Sequence, residues 1–567
     1  MASIVGKKRG NATYYYLVES ARVNGQPRIV SQEYLGTADE LAAAMRGKGL
    51  GLPARTQHKD FGAVAAAWGM LEDLGAAAII DEAAGARRSD AGASVGTYLA
   101  LAALGRLVAP CSKLAFADWW AGTAAGRFTG ISAPALDHRR FWDAMHAVGL
   151  DELEEISRRI ALAIVDESGV DCSSVALDMT NFATFIDTGN QRAPIAQRGK
   201  AGQKRADLRL VGLGLVVTRD GGIPLTWHAY PGDKPDVTQF PAMIDTLASR
   251  HEAICAASGQ VAADVTVVFD AGQNSAANFA HLAGTRLHYV GSVPASDCAG
   301  LTELPASARA VVDEDRFGGL TAYDTRREVY GTGRRTILTH SPELHDAQAA
   351  GFTGTTLAKA GRKLDELAAT LARGKTRRSR AKVEAEIGKI LHDTWARRVI
   401  TWQLAGDTPR SHRLTWRIDP SARAALEEEI FGKHVLITDH DDWPVAEVVA
   451  GYRSQSEAEA SFRQMKDPRA ASFSPMFHWT EHNIRVHVFT CVLALQLAHL
   501  MRRRVAQAGL DLSVRVLLAE LAGIGETVLL YPGQRGRPRA HRMLTDTTPA
   551  QDKLIKIFGL GRYAPRR

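Results

Sequence analysis

Three carboxylates occupy settings in which an acid needs a physical reason to be there. Asp178 lies in Val175-Ala176-Leu177-Asp178-Met179, directly after apolar residues of strand character. There it keeps its charge only if a cation or several donors balance it. Asp270 closes Val265-Thr266-Val267-Val268-Phe269 and precedes Ala271-Gly272, a strand end of the kind where open α/β sheets place ligands. For a lone aspartate, the plain alternative is a turn or helix cap. Glu459 belongs to the run Tyr452 to Lys466. If this run is helical from Ser456, Glu459, Phe462, Arg463 and Lys466 share one face carrying an acid, two bases and an apolar anchor. Ser456 and Glu459 also form an S-x-x-E capping box, which by itself accounts for the glutamate.

Other acids compete for the same role: Asp207, Asp236, Asp439-His440-Asp441-Asp442 and Glu457. Asp236 is placed as an N-cap, the Asp439–Asp442 stretch reads as a solvated turn, and Glu457 sits roughly 200° around the helix from Glu459. The bases are concentrated. Residues 359–398 hold twelve Lys or Arg against five acids, so the charge of the chain sits here. Two helices joined at Lys375, Arg377, Arg378 and Arg380 form either a phosphate-binding hairpin with salt-sensitive affinity or a solvated helix pair. Lys200, Lys204 and Arg205 make a second basic loop, read as a DNA contact. Arg535-Gly536-Arg537-Pro538 has the pattern of an extended segment whose arginines enter an A·T minor groove. Trp402 and Trp416 are assigned to packing, with stacking on a base as the alternative. His478, Trp479 and His487 lack metal-ligand spacing and are assigned to packing or DNA contact.

The elements that must position these residues follow from periodicity. Tyr14–Val18 and Arg28–Val30 flank Asn24-Gly25 and predict a hairpin in a small β-rich segment, 1–60. Ala- and Leu-rich stretches predict a helical domain over 61–165. Runs at Ser174–Leu177, Leu208–Val217, Leu225–Tyr230 and Val265–Phe269, with a helix at Val237–Ser249, predict a mixed sheet in an α/β core, 166–300. Residues 301–434 break that pattern with charged helices at about 355–373 and 380–398 and read as an insertion domain. The core resumes over 435–505 with a strand at Val435–Thr438 and helices at about 455–466 and 481–504, and a C-terminal region covers 506–567.

Composition sets the outer bounds. A chain of 567 residues predicts several domains. With 46% hydrophobic and 23% charged residues it is an ordinary globular composition. The net charge of +7 suits a polyanionic partner without demanding one. Five scattered cysteines without a C-x-x-C pair offer neither a zinc ribbon nor a disulfide framework. No signal-peptide stretch opens the chain, and Val486–Met501, interrupted by His487, Gln496 and His499, predicts a buried helix with no membrane partner. A reducing cytoplasm is the expectation.

Tyr452, Gln455, Glu459 and Lys466 fall on the spacing Tyr, two residues, Arg, three residues, Glu, six residues, Lys, with Gln455 in the Arg position. By this block the chain resembles the DDE transposases of bacterial insertion sequences. Further similarity lies in Leu177-Asp178-Met179-Thr180, Asp220-Gly221-Gly222-Ile223-Pro224 with Pro231-Gly232-Asp233, and Phe477-His478-Trp479 leading to Ile484–Phe489. The resemblance implies a ribonuclease H-like mixed-sheet core interrupted by the insertion domain. It makes Asp178, Asp270 and Glu459 both the catalytic and the metal-binding set, and Tyr452, Gln455, Arg463 and Lys466 DNA contacts. Oxygen donors of this kind suit Mg²⁺ or Mn²⁺, with two ions expected about 3.5–4 Å apart. The implied partners are double-stranded DNA, as transposon terminal repeats and target, and a second copy in a paired-end homodimer. A non-catalytic DNA-binding descendant and a ribonuclease H-like nuclease without strand transfer are the alternatives.

Overall fold

The computed structural model describes the chain except residues 1, 11, 24–25, 46–51, 86–89, 200–206, 259–263, 299, 376, 533–537 and 567. The Asn24-Gly25 turn, the Lys200, Lys204 and Arg205 loop, and Arg535 and Arg537 therefore lie outside the described residues. Two compact units emerge, one made of 1–66, 118–130 and 519–567, the other of 67–117 and 131–518.

In the first unit, strands β1 (Ala2–Arg9), β2 (Ala12–Val23) and β3 (Gln26–Thr37) form an antiparallel sheet, so the expected hairpin gains a third strand. A second three-stranded sheet joins β4 (Arg55–Asp60) to segments near the other end of the chain. The sequence boundaries at 60 and 506 are corrected by this pairing, because local pattern cannot report a partner so distant in sequence. Glu526 is fully buried in this unit and accepts hydrogen bonds from Arg127 (3.0 Å from Nε) and Arg542 (3.1 Å), which offset the cost of burying its charge.

The second unit is built on a nine-stranded mixed sheet. Its strands are β5 (Ser174–Thr184), β6 (Arg209–Thr218), β7 (Pro224–Pro231), β8 (Val265–Phe269), β9 (Leu287–Val293), β10 (Ala310–Val311), β11 (Thr321–Val329), β12 (Thr332–His340) and β15 (Lys433–Thr438). They lie in the order β10-β11-β12-β15-β9-β8-β5-β6-β7. β5, β8 and β9 run parallel, and the remaining pairs are antiparallel. β8 is buried along its whole length and β6 nearly so, as expected for apolar strands covered on both faces. On one face, Leu177, Val267 and Phe269 pack under the helix Phe240–Ser258 through Phe240 and Met243. On the other, Ala176, Phe182 and Leu215 meet Ala458, Phe462 and Met465 of the helix Gln455–Lys466 and Val488 and Leu495 of the helix Glu481–Gln507.

Strands β10 to β12 extend this sheet, so the insertion expected to begin at 301 is corrected: only residues after His340 leave the sheet, and β15 returns beside β12. The alternation of β11, exposed or half-buried at most positions, hides it from an apolar-run criterion. The departing segment carries β13 (Ile400–Ala405) and β14 (Arg413–Ile418), which pair with Trp402 opposite Trp416. Its own core includes Leu364, Leu371, Val383, Ile387 and Phe431. The second charged helix breaks into Arg380–Ile390 and Thr394–Val399, because Asp393 caps the latter, accepting from Trp395 and Ala396 amides at 3.0 and 2.9 Å. The remaining strands, β16 (Gly525–Tyr531) and β17 (Arg539–Leu544), complete the β4 sheet of the first unit.

The helix Glu481–Gln507 is long and apolar enough to cross a membrane, yet 94% of its apolar stretch is buried inside the fold. Its buried polar groups have partners there: Gln496 donates to the Pro224 carbonyl at 2.8 Å, and His499 Nδ1 lies 3.0 Å from the Gly221 carbonyl. The Asp220-Gly221-Gly222 turn between β6 and β7 is clamped onto this helix by the Asp220–Arg503 pair (2.7 Å). Gly221 and Gly222 have φ of 90° and 67°, and a Cβ on Gly222 would come 2.7 Å from Glu457 Oε2. Glycine is therefore favoured at both positions by the dihedral.

Candidate active site

The parallel register of β5 and β8 brings the two aspartates together. Leu177 is the partner of Phe269 in the last pair between these strands, so Asp178 and Asp270 are the next residues on each strand, at the point where the ladder ends. Both belong to the same side of the pleat. Asp270 Oδ1 accepts from the Ala271 amide and from Ser292 Oγ, each at 2.7 Å, which fixes its direction from β9. Asp178 Oδ1 accepts only from the Met179 amide at 2.8 Å.

Glu459 arrives on the helix Gln455–Lys466. One turn before it, Gln455 Nε2 donates to the Leu177 carbonyl at 2.9 Å; two turns after it, Lys466 Nζ donates to Thr180 Oγ1 at 2.8 Å. The helix is thus tied to β5 on both sides of Asp178. Burial pushes the Asp178 carboxyl up to about 7, with the negative charges of Glu459, Asp270 and Asp236 adding to the rise against the lowering effect of the Met179 amide. Burial lowers the Lys466 ammonium, and Asp178 opposes that. The Tyr452 hydroxyl is raised by burial, with Asp270 and Glu459 contributing and a hydrogen bond to Ser292 opposing.

No Lys or Arg forms an ion pair with Asp178, Asp270 or Glu459 among the described residues. A set of like charges with oxygen donors and no ion-paired base among the described residues fits divalent cations, which would relieve both desolvation and repulsion. The three are wider apart than a one-ion cage: the described group whose ligand atoms all lie within 4.8 Å of one another is instead His288, Asp439 and His440. That cluster sits at the opposite end of β8 and β9 and is internally satisfied. Asp439 accepts from the Tyr289 amide (2.8 Å) and contacts His288 Nδ1 (3.0 Å), and His440 bonds Thr266 Oγ1 (2.7 Å) and stacks on Trp443. Of the stretch read as a solvated turn, Asp439, Asp441 and Asp442 are exposed, whereas His440 is buried.

Several sequence readings change. The Ser456–Glu459 capping box is absent: the helix begins at Gln455 without a side-chain cap, and Ser456 donates to the Arg453 carbonyl. Glu459 is therefore free for other work. Gln455, assigned to DNA by the resemblance, is buried and faces β5. Tyr452 is partly buried beside Ser292 and Asp270, whereas Arg463 is exposed. Asp236 caps no helix. It accepts from the Tyr230 hydroxyl at 2.6 Å. In the basic hairpin Arg378 pairs with Glu386, and Arg380 with Glu384 at 2.9 Å, so local acids already answer these two charges, while Lys375 and Arg377 make no ion pair among the described residues. Trp416 Nε1 donates to Asp365 at 2.8 Å, in line with packing.

Sequence reasoning misses Ser292 and Thr180. Ser292 lies on β9, whose run Leu287–Val293 contains His288, Gly291 and Ser292 and so lacks a clean apolar signal. Thr180 follows Asp178 by two positions and hence shares its face, a signal available from alternation alone.

No protein-family model matches the chain, and no curated protein matches it. Six chains of solved structures match. One is a piggyBac transposase in a synaptic complex with hairpin DNA, with a TM-score of 0.36 and 8% identity over 83% of this chain and 82% of that one. A likeness at this level does not establish a common fold.

Proposed function

We propose that this chain is a DDE transposase of the insertion-sequence type, cutting DNA at transposon ends and joining the ends to a target. The observation that carries the reading is the pairing of Asp178 and Asp270 at adjacent, in-register ends of two parallel strands, with Glu459 delivered beside them by a helix tied to β5. The strand order β7-β6-β5-β8-β9, three antiparallel followed by parallel neighbours, supports a ribonuclease H-like core, with the segment after His340 as its insertion.

In this reading Asp178, Asp270 and Glu459 hold the metal ions. Bound Mg²⁺ or Mn²⁺, two ions in this proposal, would activate the attacking oxygen and stabilise the leaving one in an in-line displacement. Ser292 keeps Asp270 oriented through its 2.7 Å hydrogen bond. Lys466, with its ammonium at Thr180 and over the Phe182 ring, holds the scissile strand next to the acids. Arg463 on the same helix reaches flanking phosphates. The attacking group is water in cleavage and a DNA 3′-hydroxyl in joining, so one site serves both steps. Terminal repeats, target DNA, a second copy in the paired-end assembly and a bacterial cytoplasmic location complete the proposal.

The test is substitution without change of shape. Asp178→Asn, Asp270→Asn and Glu459→Gln should each abolish Mg²⁺- or Mn²⁺-dependent cleavage and strand transfer on a cut end while DNA binding persists. Near-normal cleavage by any one removes that residue from the set, and cleavage without joining by the parent chain reduces the function to a nuclease.

A further inference from the structure

Away from the carboxylates, the second unit contains a cavity of about 480 Å³ whose lining joins two kinds of group. One kind is cationic. Arg106 is 3% exposed and Lys113 8%, and neither has a carboxylate partner among the described residues. Arg106 Nη2 donates to the Cys111 carbonyl at 2.6 Å, while its Nη1 is buried with no hydrogen-bond partner. Burial pushes the Lys113 ammonium down to about 7, with Arg106 adding to the fall. Asn483 Oδ1, on the same lining, is also buried without a partner. No Asp or Glu is among the described lining residues. Two buried cations whose charged neighbour is each other are costly unless an anion completes them.

The second kind is aromatic and exposed. Trp142, Phe477 and Trp479 are 42%, 63% and 51% exposed, and all three line this cavity. The Arg192 guanidinium lies over the Trp479 ring, 4.6 Å from its centroid. A simple inorganic anion has no use for these faces. A nucleobase does, because every base stacks on an aromatic ring while its phosphate seeks cations. The wall is also joined to the catalytic strand: Phe473, just before the Phe477–Trp479 stretch, stacks on Phe182 of β5 at 4.2 Å, four residues beyond Asp178.

We propose that this cavity takes one unstacked nucleotide of a DNA strand, its base against Trp479 and Phe477 and its phosphate at Arg106, Lys113 and Arg192. The choice of a DNA strand over a free nucleotide rests on the transposase reading; the nucleoside-phosphate chemistry does not. The full-length chain is titrated with an oligothymidylate of eight residues, an abasic oligomer of the same length, thymidine 5′-monophosphate and inorganic phosphate. Binding is followed by anisotropy and by quenching of tryptophan emission. The oligothymidylate should bind at least tenfold more tightly than the abasic oligomer, Trp479→Ala should erase that difference, and Trp479→Phe should keep it. Asp178→Asn should keep it as well. Equal affinity for the two oligomers in the parent, or an unchanged preference in Trp479→Ala, overturns the proposal. Competition by inorganic phosphate as effective as that by the monophosphate reduces the cavity to an anion site and overturns it too, and a free monophosphate that binds as tightly as the oligomer overturns the DNA-strand assignment. Failure of the transposase reading would appear separately, as absent metal-dependent cleavage by the parent chain, with this base preference still measurable.

Discussion

Replacing Gln455 by alanine separates a structural anchor from a phosphate contact. The side chain is buried and its amide donates to the Leu177 carbonyl, one residue before Asp178, at 2.9 Å. Truncation removes that hydrogen bond and leaves a buried carbonyl without this donor, at a cost of about 1–3 kcal/mol. The space vacated by the amide and its methylene adds roughly 1 kcal/mol. Against this, Gln455 Oε1 is itself buried without a partner, and its removal returns on the order of 1 kcal/mol. The net is about 2 kcal/mol of lost stability, readable as a shift in the midpoint of denaturant unfolding at unchanged slope. Because Glu459 is one turn further along, cleavage by the folded fraction should fall about tenfold or more. The DNA affinity of the folded fraction should stay that of the parent. A phosphate contact would behave otherwise, weakening DNA binding with little change in stability, at an unchanged salt slope because the side chain carries no charge. That outcome, or full cleavage by the folded variant, would refute the anchor.

Lys466→Ala should cost no more than about 1 kcal/mol of stability, since the residue as a whole is exposed and loses one hydrogen bond, yet cleavage should fall at least tenfold with unchanged Mg²⁺ dependence; paired melting and cleavage assays on one preparation decide this. In the basic hairpin, Lys375→Ala with Arg377→Ala should flatten the salt slope of DNA binding by up to about 1.8, and more than Arg378→Ala with Arg380→Ala, because the latter pair is already answered by Glu386 and Glu384; equal effects in a salt titration would show that these ion pairs yield to DNA. The Arg503 hydrogen bonds hold the Asp220 carboxyl below its usual range against the opposing effect of burial. Such a depressed acid stabilises the fold above its unfolded pKa of about 4 and loses that contribution as pH falls through the folded value. Asp220→Asn should therefore lower stability at pH 7 by no more than about 1 kcal/mol after solvent screening and converge with the parent in strong acid, as unfolding curves across pH would show.

The helix 455–466 is legible in full from the sequence, because an amphipathic period is a local property: Ala458, Phe462 and Met465 turn inward, which leaves Glu459 at the border of that face, in line with Gln455 and Lys466. The strands carrying Asp178 and Asp270 are legible for the same reason, as short apolar runs ending in an acid. What local pattern does not carry is pairing. That Leu177 meets Phe269 in parallel, and so sets the two aspartates side by side, depends on the helix Phe240–Ser258 crossing between them and on register within a sheet buried on both faces. That Gln455 points into the protein, although it occupies a position of a DNA-contacting motif, depends on how closely its helix docks on β5. β10 to β12 alternate too weakly for their membership in the main sheet to be read, and β4 finds its partners some 470 residues away. The charges of Arg378 and Arg380 look available in the sequence and are paired in the fold. Sequence alone determined which residues must be buried and which acids lacked an excuse. Tertiary structure decided which of them meet, because contacts between distant segments are selected by packing and charge compensation over the whole core, and no local period encodes that selection.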